Sequence, residues 1–117
     1  MTIKLNGLYK FTWKFKHQLI KDTVILSHLV DDSIIGFEIC NDKRKLYGGL
    51  YLLNGKLLPA KKQIMGNWYK LDNSQYGQFY LNIKNKGRDL IGEYNHLHRC
   101  RFKGKQYSYT LTYLRAL

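Results

Sequence analysis

Residues 77–94 read GQFYLNIKNKGRDLIGEY, two alternating segments joined by a turn that contains a glycine. Every second residue from Phe79 to Ile83 is apolar before the turn, and Leu90 and Tyr94 continue the pattern after it. Successive side chains of a strand point to opposite faces. A period of two on both sides of a turn therefore predicts a β-hairpin.

A glycine stands two residues before an aromatic residue in each strand of this hairpin: Gly77 precedes Phe79, and Gly92 precedes Tyr94. The same Gly-x-aromatic pattern begins at Gly7, Gly49 and Gly66. Glycine weakens a strand, so inside one it marks a bend or a close approach of another backbone. We interpret these glycines as the positions where a small barrel curls. A phosphate loop is not indicated, because neither G-x-G-x-x-G nor a Walker pattern occurs.

Eight segments of the chain alternate in this way, with short turns between them and almost no helical period. They cover residues 3–15, 23–30, 33–40, 45–53, 63–71, 77–84, 89–98 and 106–114. Asp31-Asp32 is predicted as a two-residue hairpin turn, and Asn54-Gly55 follows the fourth segment. Closing a sheet removes its edges, so we predict an all-β fold, a single closed antiparallel eight-stranded meander barrel.

The first strand of this barrel should pair with the eighth, and the whole chain, residues 1–117, is predicted as one domain. An eight-stranded barrel has an interior just wide enough for packed side chains or one small ligand. The predicted core consists of Tyr9, Phe11, Trp13, Trp68, Phe79, Leu81, Ile83 and Tyr109.

Composition places limits on location and redox state. The chain has one proline and no run of about 18 apolar residues, so no membrane helix is expected. The N-terminus lacks the apolar core of an export signal, which predicts a cytoplasmic protein. Cys40 and Cys100 are then expected to be free thiols. The chain can also be a piece of a longer protein.

Charge is the most unusual property of the composition. Twenty Lys and Arg residues face eight Asp and Glu residues, for a formal net charge of +12. Such an excess predicts an anionic partner, which can be a nucleic acid, a nucleotide or a membrane surface. The alternative is that the lysines only keep the protein soluble.

The segment His96-x-His98-x-Cys100 places two imidazoles and a thiol on one face of a strand. Alternating imidazoles can chelate zinc, although further ligands would have to come from elsewhere, for example His28. Polar lining of a barrel mouth is favoured over metal binding, and plain, partly exposed histidines are the further alternative. No metal and no cofactor is predicted.

The opposite face of the same segment carries a basic strip of Arg99, Arg101, Lys103 and Lys105, with Lys84, Lys86 and Arg88 in the neighbouring hairpin turn. The strip is either a solvated outer face or a phosphate-binding surface, on which Arg binds bidentately and Lys acts as a point charge. The candidate ligand-binding residues are Tyr9, Trp13, Trp68, Tyr94, His96, His98, Arg99, Arg101, Lys103 and Tyr107.

A family resemblance rests on Gly66-Asn67-Trp68-Tyr69, on Gly77-x-Phe79-x-Leu81-x-Ile83 and on Leu90-x-Gly92-x-Tyr94. These motifs resemble calycin-like barrels, the group of lipocalin- and avidin-shaped folds. More narrowly, they are similar to the β-barrel sensor domain of bacterial antiphage membrane effectors. In that family the barrel follows two transmembrane helices and binds a cyclic dinucleotide. The resemblance covers about residues 7–114 and implies a cyclic-oligonucleotide ligand.

Three functions are compatible with these observations. The first is a non-catalytic module that binds a cyclic oligonucleotide, most simply a dinucleotide, in antiphage defence or viral counter-defence. The second is a basic barrel that binds RNA or single-stranded DNA, with Tyr69 and Tyr80 outside, and the third is a lipocalin-like carrier. An enzyme is not expected, because no catalytic spacing stands out. A homo-oligomer would suit a two-fold symmetric ligand, and a membrane is a partner only if the chain is an effector fragment.

Overall fold

The computed structural model describes residues 4–15, 17–41, 50–98 and 104–117. Its strands are β1 (Gly7–Phe15), β2 (Gln18–His28), β3 (Ser33–Asn41), β4 (Tyr51–Leu58), β5 (Gln63–Lys70), β6 (Tyr76–Lys84), β7 (Asp89–Tyr94) and β8 (Tyr107–Arg115). Two short 3₁₀ turns, Pro59–Lys61 and Asn85–Gly87, join β4 to β5 and β6 to β7. In the described part of the chain, no helix has the length and apolar character that crossing a membrane requires.

The strands form a closed antiparallel barrel in which each strand pairs with its neighbours in the sequence. β1 closes the barrel by pairing with β8, in a register that aligns Tyr9 with Tyr113 and Trp13 with Tyr109. The predicted all-β meander barrel and the pairing of its first and last strands are therefore confirmed. Closure gives every strand two hydrogen-bonded neighbours.

One face of every strand points into the barrel and forms the core. All eight residues predicted for the core are at most 8 % exposed, which confirms that prediction. The rings interlock edge to face, as the Phe11 and Tyr109 rings show, with centroids 4.6 Å apart and an interplanar angle of 87°. Aromatic pairs favour this geometry because the positive ring edge meets the negative ring face.

The fourth strand differs from the prediction, because Asn54 and Gly55 lie inside β4 and do not follow it. They pair with Asn67 and Gly66 of β5, and the chain reverses only after Leu58. Asn54 points outward and Gly55 inward, so the dipeptide satisfies the alternation of a strand. The reversal itself uses Pro59, whose fixed φ suits the first position of a turn.

The turn between β2 and β3 is also longer than predicted, since residues 29–32 connect the strands in place of Asp31-Asp32 alone. Leu29 N–H donates to the Ser33 carbonyl (2.9 Å), and Asp32 N–H donates to the Leu29 carbonyl (3.1 Å). Asp32 adopts a φ of 66°, a left-handed conformation that aspartate tolerates.

β7 ends at Tyr94, four residues earlier than the predicted end at His98. The N–H groups of Asn95 and Leu97 still donate to the carbonyls of Gln78 and Tyr76, both at 3.0 Å. The pairing of β7 with β8 starts at Tyr94 opposite Tyr107. Residues 95–98 therefore follow β6 but have no β8 residue opposite them.

Gly92 and Gly77 show why the inward glycines are needed. A Cβ atom on Gly92 would lie 1.9 Å from the Tyr80 carbonyl oxygen, and one on Gly77 would lie 1.9 Å from the Asn95 carbonyl oxygen. The neighbouring backbones approach too closely for any side chain. The interpretation of these glycines as positions of close backbone approach in a curled barrel is confirmed.

We expect Gly92→Ala to destabilise the barrel by about 3 kcal/mol or more, because the new methyl group meets backbone that cannot yield. Gly36→Ala is the matched control: its Cβ would meet the side chains of Leu26 and Leu53 at 3.0–3.1 Å, which can move. This control should cost about 1 kcal/mol. Urea unfolding of both variants measures the difference, and equal losses would contradict the backbone argument.

Candidate ligand-binding site

Most of the predicted ligand residues meet at one end of the barrel, where β1, β3, β5 and β7 finish and β2, β4, β6 and β8 start. We call it the aromatic end and define it by Trp13, Tyr51, Trp68, Tyr94, His96, His98 and Tyr107. The meander order brings these residues together from five strands (β1, β4, β5, β7 and β8) and from the segment that follows β7. Their spacing along the sequence, from position 13 to position 107, does not by itself show that they meet.

Trp68 lies at the centre of the aromatic end. Its ring centroid is 5.8 Å from that of Tyr51, 5.9 Å from that of Tyr94 and 5.3 Å from that of His96. The indole N–H donates to the Asn95 carbonyl at 2.8 Å, which fixes the orientation of the ring. Trp13 is held in a similar way, because its indole N–H donates to Asp22 Oδ2 at 2.8 Å. The two indoles are therefore rigid.

The two histidines occupy different depths. His96 is 6 % exposed, and its ring centroid lies 5.1 Å from that of His98. His98 is half-buried, and its Nδ1 lies 3.1 Å from the Tyr76 nitrogen and 3.0 Å from the Tyr76 oxygen. His98 therefore places a partly exposed imidazole at the rim, and the polar lining of the barrel mouth stays a prediction. Cys100 lies outside the described residues, among which no group of three or more His, Cys, Asp or Glu is placed to hold a metal ion.

Lys70 and Gln75 complete the rim, and neither was predicted. The Lys70 side chain is only 13 % exposed, and its Nζ lies 3.6 Å from Asp72 Oδ2. Gln75 Oε1 accepts a hydrogen bond from the Tyr51 hydroxyl at 3.0 Å. Two hydrogen bonds from Ser74, together with the Lys70 charge, lower the pKa of Asp72. A sequence signal for Lys70 was available. Lys70 stands two residues after Trp68 on the same strand, so its side chain lies on the same, inward face.

Two carboxylates point into the barrel near this end: Asp22 is 5 % exposed and Glu38 is 2 % exposed. Both occupy inward positions of the alternation in β2 and β3. This alternation was the sequence signal that could have placed the two carboxyl groups inside the barrel. Burial raises the pKa of Tyr109 well above its usual value, and the charges of Tyr94, Glu38 and Asp22 raise it further. Two buried carboxyl groups therefore line the inner wall, while the rim carries the cation of Lys70.

Tyr9, predicted with this group, lies at the opposite end of the barrel. Its hydroxyl donates to the Gly87 carbonyl at 3.1 Å, and its ring meets that of Tyr113 edge to face at 5.5 Å. The length of the barrel separates it from Trp68. Tyr9 therefore belongs to the packing under the β6–β7 turn.

Three basic residues that were named beside the predicted basic strip lie in the described part of the chain. Lys84, Lys86 and Arg88 belong to the β6–β7 turn, which lies at the same end as Tyr9, and Arg88 stacks over the Tyr113 ring at 5.9 Å. Arg99, Arg101 and Lys103 lie outside the described residues, so their role stays a prediction.

Comparisons with known proteins identify no relative. A scan against protein-family models, a search of curated proteins and a search of solved structures each find no match to this chain. The resemblance to antiphage sensor barrels therefore stays a prediction, and the function has to be argued from the barrel itself.

Three buried tyrosines predict a loss of stability at alkaline pH. Burial raises the pKa of Tyr94 and of Tyr109, and burial and Tyr113 raise that of Tyr9 to about 12. The stabilisation from these neutral tyrosines is complete below the unfolded-state pKa of about 10 and is lost as the pH rises through the folded-state values. The free energy of unfolding should therefore fall between about pH 10 and about pH 12.

Urea unfolding across this range checks the expectation, and Tyr9→Phe should make the decline shallower because it removes one of these groups. A free energy of unfolding that stays constant up to about pH 12 would contradict it.

We expect Trp68→Ala to reduce the free energy of unfolding by about 3–5 kcal/mol, because it leaves a cavity in the centre of the aromatic end. Tyr69→Ala is the control: Tyr69 is the next residue of β5 but points outward, and its loss should cost about 1 kcal/mol or less. Urea denaturation measures both values. Similar losses for the two variants would show that Trp68 does not carry this packing.

Proposed function

We propose that this barrel is a non-catalytic module that binds a cyclic oligonucleotide, most simply a cyclic dinucleotide, at its aromatic end. The observation that carries the proposal is the convergence of Trp13, Trp68, Tyr94, His96 and Tyr107 beneath a rim that holds Lys70. A nucleotide combines a base with a phosphate. Aromatic rings can stack against the base, and the cation of Lys70 at the rim can pair with the phosphate.

Base recognition uses the half-buried rings of the aromatic end, Tyr107 and His98, because Trp13, Trp68 and Tyr94 are packed in the core. Stacking of a base on an aromatic side chain contributes about 1–3 kcal/mol and tolerates different bases. The apolar and aromatic interior disfavours a charged phosphate, whereas the rim carries Lys70. A nucleotide therefore binds with its base toward the interior and its phosphate toward the rim.

Phosphate recognition uses the cations of the rim. Lys70 Nζ lies close to Asp72, whose own side chain is largely exposed at the rim. A phosphate that reaches the rim can therefore take the place of Asp72 as the partner of Lys70. Lys14, Lys21 and Lys105, all exposed, add positive charge at this end. A pair of opposite charges about 4 Å apart gains about 1–4 kcal/mol near a protein surface.

The cellular role rests on the resemblance to antiphage sensor barrels. We propose a cytoplasmic protein of bacterial antiphage defence, or of the viral response to it, that senses or sequesters the signal nucleotide. A two-fold symmetric dinucleotide would suit a dimer of barrels. A membrane becomes a partner if the chain is part of a longer effector.

A thermal-shift panel of cyclic di- and trinucleotides tests the proposal. Ligand at about 100 times its Kd should add about 2.7 kcal/mol to the stability of the folded state and raise the melting temperature by several degrees. Linear dinucleotide, short RNA and fatty acid are the comparison ligands. Stabilisation by fatty acid alone would assign the protein to the carriers, and binding of RNA of any sequence without a response to cyclic species would assign it to nucleic-acid binding.

Lys70→Met tests the rim, because it removes the charge and keeps the aliphatic stem. The variant should weaken binding of the cyclic nucleotide by about fivefold or more and leave the unliganded melting temperature nearly unchanged. Lys10→Met, an exposed lysine on the outer face of β1, is the matched control. Replacing Arg99 and Arg101 together by Ala tests the predicted basic strip in the same assay.

A further inference from the structure

The outer face of the barrel carries a row of amide side chains that crosses neighbouring strands. Asn54 of β4 pairs with Asn67 of β5, which pairs with Gln78 of β6. Asn95 and Gln106 continue the row, because they flank the β7–β8 pair formed by Tyr94 and Tyr107. Adjacent strands are about 4.8 Å apart, so the amides form an array of regular spacing.

A groove of about 370 Å³ lies along this row. Its walls come from β5, β6, β7 and the residue before β8, and it is lined by Met65, Gly66, Asn67, Gln78, Phe79, Tyr80, Glu93, Asn95 and Gln106. Met65 is 47 % exposed and the neighbouring Tyr80 is half-buried, so together they form an apolar floor.

Internal hydrogen bonds fix one part of the groove and leave another part available. Asn95 Oδ1 accepts from the Gln78 N–H at 2.9 Å, and the Tyr80 hydroxyl donates to Glu93 Oε1 at 2.5 Å. This last bond raises the pKa of Tyr80, which keeps the hydroxyl protonated. Within the described residues, no hydrogen bond engages the amide of Asn67 or of Gln106. The groove therefore has a rigid wall and free donors and acceptors.

The charge of the groove is opposite to that of the chain. The chain carries +12, but the lining residues, all of which the structure describes, include one carboxylate and no lysine or arginine. A phosphate in this groove would meet Glu93, and its nearest lysines, Lys56 and Lys105, border the lining without belonging to it. The ligand that matches this lining is uncharged and rich in groups that both donate and accept hydrogen bonds.

We propose that the groove binds a neutral oligosaccharide. Sugar hydroxyls donate and accept at once, which matches the two free amides and the carboxylate of Glu93. The apolar face of a sugar ring can rest on the Tyr80 ring and the Met65 side chain. A chain of sugars can follow the amide row across β5, β6 and β7. This site is separate from the aromatic end and does not depend on the cyclic-nucleotide proposal.

Titration with three neutral hexasaccharides, cellohexaose, chitohexaose and maltohexaose, tests the site by calorimetry and by NMR shifts of the side-chain amides. At least one should bind with a Kd of about a millimolar or tighter. The double variant Asn67→Ala with Gln106→Ala should weaken that binding by about tenfold or more. It should leave the melting temperature unchanged, since neither amide holds the fold together.

The chain offers a matched control on the same two strands. Gln63 and Asn82 form an amide pair on the outer face of β5 and β6, with Gln63 Nε2 3.0 Å from Asn82 Oδ1 and outside the groove. Their double replacement by Ala should leave sugar affinity within about twofold. The proposal is overturned if none of the three sugars binds, or if both double variants lose affinity equally. It is also overturned if the groove variant loses binding of single-stranded RNA and no sugar binds.

Discussion

The pairing of β1 with β8 is the constraint on which the rest of the structure depends. It makes Tyr9 and Tyr113, which stand near opposite ends of the chain, neighbours in the sheet. It also closes a sheet that would otherwise have two open edges. A closed barrel of eight strands has room inside for about one layer of packed side chains. The inward positions must then combine large residues with residues that have no side chain. Gly92 meets this requirement, because the backbone of β6 occupies the place of its Cβ.

The same limit on space explains the aromatic end. Rings from several strands reach one small volume, where edge-to-face contacts pack them and indole N–H groups find fixed acceptors. Burying a carboxylate costs free energy unless hydrogen bonds offset the cost. Asp22 accepts the Trp13 indole N–H at this end of the barrel, which also holds His96 and Lys70.

Alternation predicted the fold well, because in a barrel each inward residue is identified by its parity along the strand. It placed Trp68 and Tyr109 in the core correctly. It failed at Asn54-Gly55, where a dipeptide typical of turns satisfies the alternation inside β4. It also failed at residues 95–98, because β8 begins only at Tyr107 and offers these residues no strand to pair with. Parity within one strand also cannot tell which end of the barrel a residue reaches. For this reason Tyr9 was grouped with Trp68, which the closed topology places at the opposite end.

Charge is distributed unevenly over the described surface, and this distribution separates the two proposed sites. Lys14, Lys21, Lys70 and Lys105 lie around the aromatic end, whereas the outer groove of β5 to β7 has a single carboxylate and no cation. At physiological salt, charges more than about 8 Å apart are largely screened. Distant cations therefore act little on the groove, and its neighbouring cations are Lys56, which pairs with Met65, and Lys105, which precedes Gln106. A phosphate-bearing ligand at the rim and a neutral ligand on the outer face can consequently bind the same barrel without competing for one set of side chains.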